Sequence, residues 1–232
     1  MKGDLCPRKI KPKTWSFRKI LVLVTLVTFT VAGYCYVNLN YYGQYTGYQP
    51  CRNLTKPQMD QLLHFSYNVH QLLDELGLEH WLMHGSLLGA LRVHAPLAWD
   101  KNIDIGLDGD GKLKELDKTK FFEKLKSVGA TKIIDNWSRD GLIKIYNENS
   151  EFSVDLMIFH RLEKWMKRPG WASRLFYLHC DNFHKFPTKL VEQPLPKARF
   201  GFFSISVPRN GSEMLKYNYP ADWLKVVEHL KC

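Results

Sequence analysis

The chain has 232 residues, 45% apolar and 24% charged, close to the globular averages of roughly 45–50% and about 25%. That argues against disordered, collagen-like and disulfide-scaffold classes, and the length allows one ordinary domain of ~100–200 residues plus an appendage. The formal charge of +10 raises a nucleic-acid or membrane-surface partner. Its distribution weakens the first: residues 1–19 hold seven basic side chains and one acid, residues 20–37 hold none, and +4 remains for the rest.

Residues 20–37, ILVLVTLVTFTVAGYCYV, contain neither charge nor proline. A bilayer core of ~30 Å needs about 20 helical residues, with ~17 as the lower limit, so the run qualifies as a transmembrane signal-anchor. The basic tail before it keeps the N-terminus cytosolic and faces the residues after 37 to the lumen or the outside, a single-pass type II arrangement. Tyr34, Tyr36, Tyr41 and Tyr42 fall where an interfacial aromatic belt belongs. The alternative is a signal peptide cleaved near Ala32 or Gly33, followed by secretion. Both routes suit the sequons at Asn53, Asn136 and Asn210. Cys51, Cys180 and Cys232 then share an oxidising compartment that permits one disulfide, whose pairing the sequence leaves open. His179, Cys180 and His184 lack the second cysteine pair that a zinc site of this spacing needs.

Residues 38–54, rich in Tyr, Asn and Gly, read as a stem, and residues 55–232 as one domain. Thr55 reads as an N-cap with Pro57 in the first turn. Met59, Leu62, Leu63, Val69, Leu72, Leu73 and Leu76 recur at helical spacing until Gly77 ends the run. A strand over 81–84 leads into Gly85-Ser86, and a helix begins near Leu87. From Asn102 the chain alternates, with Ile103, Ile105 and Leu107 on one face and Asn102 and Asp104 on the other. The pattern predicts a charged amphipathic helix over 112–128 and strands over 131–134, 142–147, 154–159 and 202–207. Two short helices follow Asn210 and Asp222. Helices and strands interleave without a repeat, which makes the domain mixed α/β or α+β.

Three features combine into chemistry. Gly85-Ser86 at a strand-to-helix turn lets backbone N–H groups approach an anion. Asn102 and Asp104 project the same way from one strand, with Asp100 just upstream. Asp155 lies in a later apolar strand, where a lone carboxylate is costly unless paired or bound to a metal. Carboxylates beside a phosphate cradle are the parts that hold Mg²⁺ or Mn²⁺ on a nucleotide, and Arg92 is suited to a phosphate or a surface ion pair. His84 and His94 flank the motif and read as structural or exposed.

Residues 84–92, HGSLLGALR, followed by residues 99–105, WDKNIDI, resemble the LicD/fukutin family of nucleotidyltransferase-fold proteins. The family pattern is Gly-[Ser/Thr]-Leu-Leu-Gly-Ala-x-Arg, then Trp-Asp-x-Asp-[hydrophobic]-Asp. Val154-Asp155-Leu156 resembles its third acidic motif, and the likeness covers roughly residues 58–225. It implies a nucleotidyltransferase-like mixed sheet flanked by helices. The implied activity is transfer of an alditol- or choline-phosphate from a CDP-activated donor to a glycan acceptor, with partner glycosyltransferases and without nucleic acid. It assigns Gly85, Ser86 and Arg92 to the donor phosphates. Asp100, Asp104 and Asp155 become catalytic acids and, with Asn102, ligands of Mg²⁺ or Mn²⁺. The larger animal members carry a long N-terminal region, and any acceptor-binding module it holds is not expected here. Asn102 stands where the pattern has an Asp, and Lys101 adjoins it. The missing charge makes a catalytically impaired scaffold, binding a nucleotide, glycan or partner transferase, the alternative.

Overall fold

A computed structural model describes residues 17–46, 53–148, 151–170 and 185–219, with only the backbone for 35–46. The chain divides into two compact units, residues 1–49 and 50–232. The cysteines at 6, 51, 180 and 232, the side chain of Cys35, His179, His184 and the helix expected after Asp222 lie outside the described parts.

The first unit holds helix α1, Phe17–Thr46, which starts before residue 20 and runs through much of the segment read as a stem. Once a helix is nucleated, each added residue costs little, which lets the polar 38–46 stretch continue it. Its apolar side chains are exposed, among them Leu21, Val24, Leu26 and Phe29. The hydroxyls of Thr25, Thr28 and Thr30 donate to the carbonyls of Leu21, Val24 and Leu26, so these side chains bring no unsatisfied donor to an apolar surround. Phe17–Tyr34 is long and apolar enough to cross a membrane.

The second unit is a mixed sheet flanked by helices. Helix α2, Lys56–Glu75, opens on Thr55, whose N–H donates to Gln58 Oε1 at 2.9 Å. It buries Leu62, Leu63, Phe65, Val69, Leu72 and Leu73, together with two polar residues the apolar pattern omits, Ser66 and His70. Gly77 (φ +63°) supplies the left-handed turn after it. Then come β1, His80–Leu82, α3, His84–Val93, and β2, Asn102–Asp108. His84 thus starts the helix rather than ending the strand. The single helix expected over 112–128 is two pieces: a 3-10 turn at Lys112–Glu115 and α4, Lys118–Ser127. Asp117 makes the break, because its extended backbone and a carboxylate accepting from Lys120 N–H start a new helix.

Strands β3 (Lys132–Asn136), β4 (Leu142–Tyr146) and β5 (Ser153–Leu162) follow, with the short helix α5, Trp137–Asp140, between the first two. Sheet order is β1-β2-β5-β4-β3. Among the described residues, only β2 and β5 run parallel; every other pairing is antiparallel. The short strands β6 (Trp165–Lys167) and β7 (Lys185–Pro187) extend from β5. A hairpin of β8 (Lys197–Phe200) and β9 (Phe203–Ser206) precedes α6, Gly211–Asn218. Ile103, Ile105 and Leu107 of β2 and Val154, Leu156 and Ile158 of β5 are fully buried together with Trp81, Phe121, Phe159 and Phe186. The opposite face of β2 and β5 carries the acids.

Candidate active site

In the parallel register of β2 and β5, Asp104 lies directly beside Asp155 and Asn102 beside Ser153. On the other side of β5, Lys144 of β4 lies beside Asp155. Neighbouring positions in a sheet share a face, so two acids, an amide, a hydroxyl and an ammonium converge. Lys144 Nζ is 3.1 Å from Asp155 Oδ2, and Ser153 Oγ donates to Asp155 Oδ1 at 3.0 Å. Asn102 Nδ2 donates to Asp104 Oδ1 at 2.9 Å.

The first turn of α3 is tied to this strand. Asp104 N–H donates to Ser86 Oγ at 2.9 Å, and its carbonyl accepts from Met83 N–H at 3.0 Å. Ser86 is therefore buried and turned inward, holding the strand that presents Asp104. Asp100 enters from the preceding loop. A Cβ on Gly85 would stand 2.8 Å from its Oδ2, so glycine is what lets this carboxylate approach the helix N-terminus, where the helix dipole favours it. A Cβ on Gly89 would meet the Ala95 carbonyl at 2.4 Å; its absence lets the 94–100 loop pack on α3 and delivers Asp100. Gly85, Ser86, Asp100, Asn102, Asp104 and Asp155 are thus brought together. Arg92 is exposed in the last turn of α3, seven residues and ~10 Å along the helix from Gly85.

The acids are short of positive charge. Burial pushes Asp100 up to about 6. Burial, then the charges of Asp155 and Asp100, push Asp104 well above the usual carboxylate range, against Lys144 and the Asn102 amide. Asp155 is also raised by burial, although Lys144 and Ser153 pull it down. For Lys144, burial favours the neutral amine, but the Asp155 carboxylate outweighs it and the net shift is upward. Among the described residues, nothing donates a hydrogen bond to Asp104 Oδ2 or to the Asp100 carboxylate. Three converging carboxylates, those of Asp104 and Asp100 with oxygens that no described residue donates to, and one ammonium fit a divalent cation, which would supply the missing charge.

Two residues change the balance foreseen from sequence. Lys101, the cation expected near Asn102, is exposed and pairs with Glu151 at 3.5 Å. Lys144, which sequence reasoning passed over, is the ammonium that faces the acids. Its only local signal is a charge within an alternating strand, Leu142–Tyr146, whose Ile143 and Ile145 face the core. His84 is buried with its ring edge-on to Tyr219, and His94 is exposed at the end of α3. Of the sequons, Asn53 and Asn210 are exposed and Asn136 half-buried.

The sequence profile described as LicD/FKTN/FKRP, nucleotidyltransferase domain, matches residues 77–210. Over 156 residues the chain is 27% identical to the ribitol 5-phosphate transferase FKRP of Mus musculus; the match covers 64% of this chain but only 29% of that protein. An uncharacterized protein of Rickettsia typhi is 24% identical over 214 residues, covering 90% of this chain and 62% of its own. Among solved structures, the lincosamide antibiotic adenylyltransferase LnuA with lincomycin bound superposes with a TM-score of 0.40 at 13% identity, covering 68% of this chain and 82% of that one.

Proposed function

This chain belongs to the LicD/FKTN/FKRP family, and on that premise we propose that it is a glycan-modifying transferase. It moves an alditol- or choline-phosphate from a CDP-activated donor to a glycan hydroxyl. The observation that carries this reading is the register placing Asp104 beside Asp155, with Asp100 at the neighbouring helix start and Lys144, with the more distant Arg168, too little to offset them. Charge-deficient buried carboxylates mark a site built for a cationic or proton-transferring partner.

Asp100, Asp104 and Asp155 would hold Mg²⁺ or Mn²⁺, with the Asn102 carbonyl oxygen as a further neutral ligand. When bound, such a cation neutralises charge on the diphosphate and on departing CMP. Backbone N–H groups at the start of α3 face the donor phosphates. The acceptor hydroxyl oxygen bonds to the phosphorus bearing the alditol or choline, the bond from that phosphorus to CMP breaks, and a site carboxylate takes the hydroxyl proton. Lys144 orients Asp155 and adds positive charge beside the phosphates.

Asn102 favours a second reading, a binding protein that retains the site without the chemistry. Its amide donates to Asp104 where the family pattern has another acid. One titration separates the two. The purified protein is tested for binding CDP-ribitol and CDP-choline with and without Mn²⁺, alongside Asp104→Ala and Asn102→Asp. Mn²⁺-dependent binding that Asp104→Ala abolishes, with CMP released on adding acceptor glycan, is expected of the transferase. No binding by the natural sequence, restored by Asn102→Asp, identifies a site that has lost its chemistry.

The apolar α1 helix is read as a signal-anchor that leaves the 55–232 domain in the Golgi or ER lumen, where glycan acceptors and partner glycosyltransferases meet it. Protease protection in sealed microsomes tests this: digestion of the C-terminus without detergent overturns it.

A further inference from the structure

His70, Asp74 and His80 form a second cluster at the far end of β1. His80 pairs with Leu107, three residues and ~10 Å along β2 from Asp104. His70 and Asp74 are four apart on α2 and so share a helix face, while the turn through Gly77 returns His80 against them. The two histidines are almost fully buried, and Asp74 is 45% exposed. His70 Nδ1 and His80 Nε2 are 2.7 Å apart. Asp74 lies 3.6 Å from His70 Nε2 and 3.8 Å from His80 Nε2.

The proton inventory of this cluster does not close with neutral rings. His80 Nδ1 is 2.8 Å from the Leu78 carbonyl, which only accepts, so Nδ1 carries the proton and Nε2 presents a lone pair. If His70 carries its proton on Nδ1, it satisfies His80, but its Nε2 lone pair then faces the Asp74 carboxylate. If the proton is on Nε2, the lone pairs of His70 and His80 oppose each other at 2.7 Å. Either tautomer sets acceptor against acceptor. Protonating His70 resolves it only by burying a charge on a ring that is almost fully enclosed. A cation resolves it without a proton.

We infer that His70, Asp74 and His80 are ligands of a divalent transition-metal ion of the Zn²⁺ type, with a fourth position open to water beside Asp74. Bonds of ~2.0–2.1 Å at tetrahedral angles separate ligand atoms by ~3.3 Å, and the distances of 2.7 and 3.8 Å around His80 Nε2 bracket that value. Two imidazoles and a carboxylate suit zinc rather than Mg²⁺ or Ca²⁺. The His80 Nδ1–H···O=C bond is the outer contact that orients a metal-binding histidine. His70 also stacks on Phe203 at 5.6 Å. Such an ion clamps α2 to β1 and, through His70, to the β8–β9 hairpin, a structural role independent of the transferase chemistry.

The test uses the full chain in detergent, stripped with chelator and kept in excess Mg²⁺ to occupy the carboxylate face. Zn²⁺ is titrated, and bound metal and Tm are measured for the natural sequence, Asp74→Ala, Asp74→His and His70→Gln. Asp74 is exposed, so its variants test binding without a packing defect. The expected result is a Zn²⁺-dependent rise in Tm. Asp74→Ala and His70→Gln weaken Zn²⁺ binding by at least the ~10–100-fold that losing a mere outer contact costs, and Asp74→His retains it. Equal Zn²⁺ content and equal Tm rise in the natural sequence, Asp74→Ala and His70→Gln overturn the proposal, as does no Zn²⁺ uptake by the natural sequence.

Discussion

The two ends of the β2–β5 pair carry the same kind of side chain in opposite circumstances. Asp104 and Asp108 lie four residues apart on one strand and one face, and both are buried. At the Asp108 end, Arg161 donates to Asp108 Oδ2 through Nε at 3.1 Å and Nη2 at 2.7 Å. Nearby, Asp110 accepts from His160 Nδ1 at 2.8 Å and from Arg161 N–H. Burial tends to raise Asp110, but those donors outweigh it and hold its carboxyl below the usual range. At the Asp104 end the acids outnumber the cations and are pushed up. A carboxylate matched by fixed donors is structure; one left short of charge is poised to bind. The strand pair thus separates an ion-paired brace from a candidate catalytic face by less than the length of one strand.

The sharpest way to break this contrast is at the charge-deficient end. Asp104→Asn and Asp155→Asn should each lower donor turnover by on the order of 10²–10³-fold, the cost of removing one preorganised charge contact. Neither should lower the metal-free Tm, because each removes a buried charge with too little compensation. CMP release and thermal melting on the same preparations check both halves.

At the braced end the signs reverse. Arg161→Ala leaves Asp108 buried without the guanidinium whose two donors meet its Oδ2 and should cost about 1–2 kcal/mol, a range kept low because Arg161 is itself 40% exposed. For a domain of this size that lowers Tm by roughly 2–8 °C. Turnover at saturating donor should stay near that of the natural sequence.

The pH dependence divides the ends as well. Asp100 sits at about 6 in the folded protein, against ~3.9 in an unfolded chain. A folded-state value above the unfolded one means that protonation favours folding. Its contribution is complete below the unfolded value and is lost as pH rises through about 6. Metal-free protein should therefore gain Tm between pH 7 and pH 5, and Asp100→Asn should reduce that gain. Asp110, held low, stabilises the fold above the ordinary carboxylate range and loses that contribution as pH falls through its folded value. Saturating Mn²⁺ should reverse the first trend, because the metal competes with protons for the same oxygens.

Much of the acid-lined face was legible because period two is a strong signal. Ile103, Ile105 and Leu107 separate cleanly from Asn102 and Asp104, and an Asp between Val154 and Leu156 must face the other way. Lys144 was not legible, since its place beside Asp155 depends on the register of antiparallel strands distant in sequence. Strands β6, β7 and β8 are three or four residues long, too short to display an alternation. The break at Asp117 was readable as an N-cap but was masked by the charged amphipathic pattern running across it. His70 and His80 escaped because a histidine in an apolar stripe reads as core until a second one meets it.

The smallest effect discriminates between two sources of positive charge near the site. Lys101 adjoins Asn102 in sequence, yet its side chain is 53% exposed and pairs with Glu151 across the surface. Exposed pairs of this kind contribute ~0.2–1 kcal/mol, so Lys101→Ala should leave Mn²⁺ affinity and turnover nearly unchanged and shift Tm by no more than a few degrees. Lys144→Met, which keeps the length of the stem but removes the charge, should instead slow turnover, because Lys144 is the cation bonded to Asp155. The same change should tighten Mn²⁺ binding, since a positive charge has left the carboxylate cluster. Opposed effects on turnover and metal affinity distinguish loss of the cation beside Asp155 from simple unfolding, which would weaken both. Equal behaviour of the two lysine variants would mean that proximity in sequence, rather than the register of β4 on β5, sets the charge of the site.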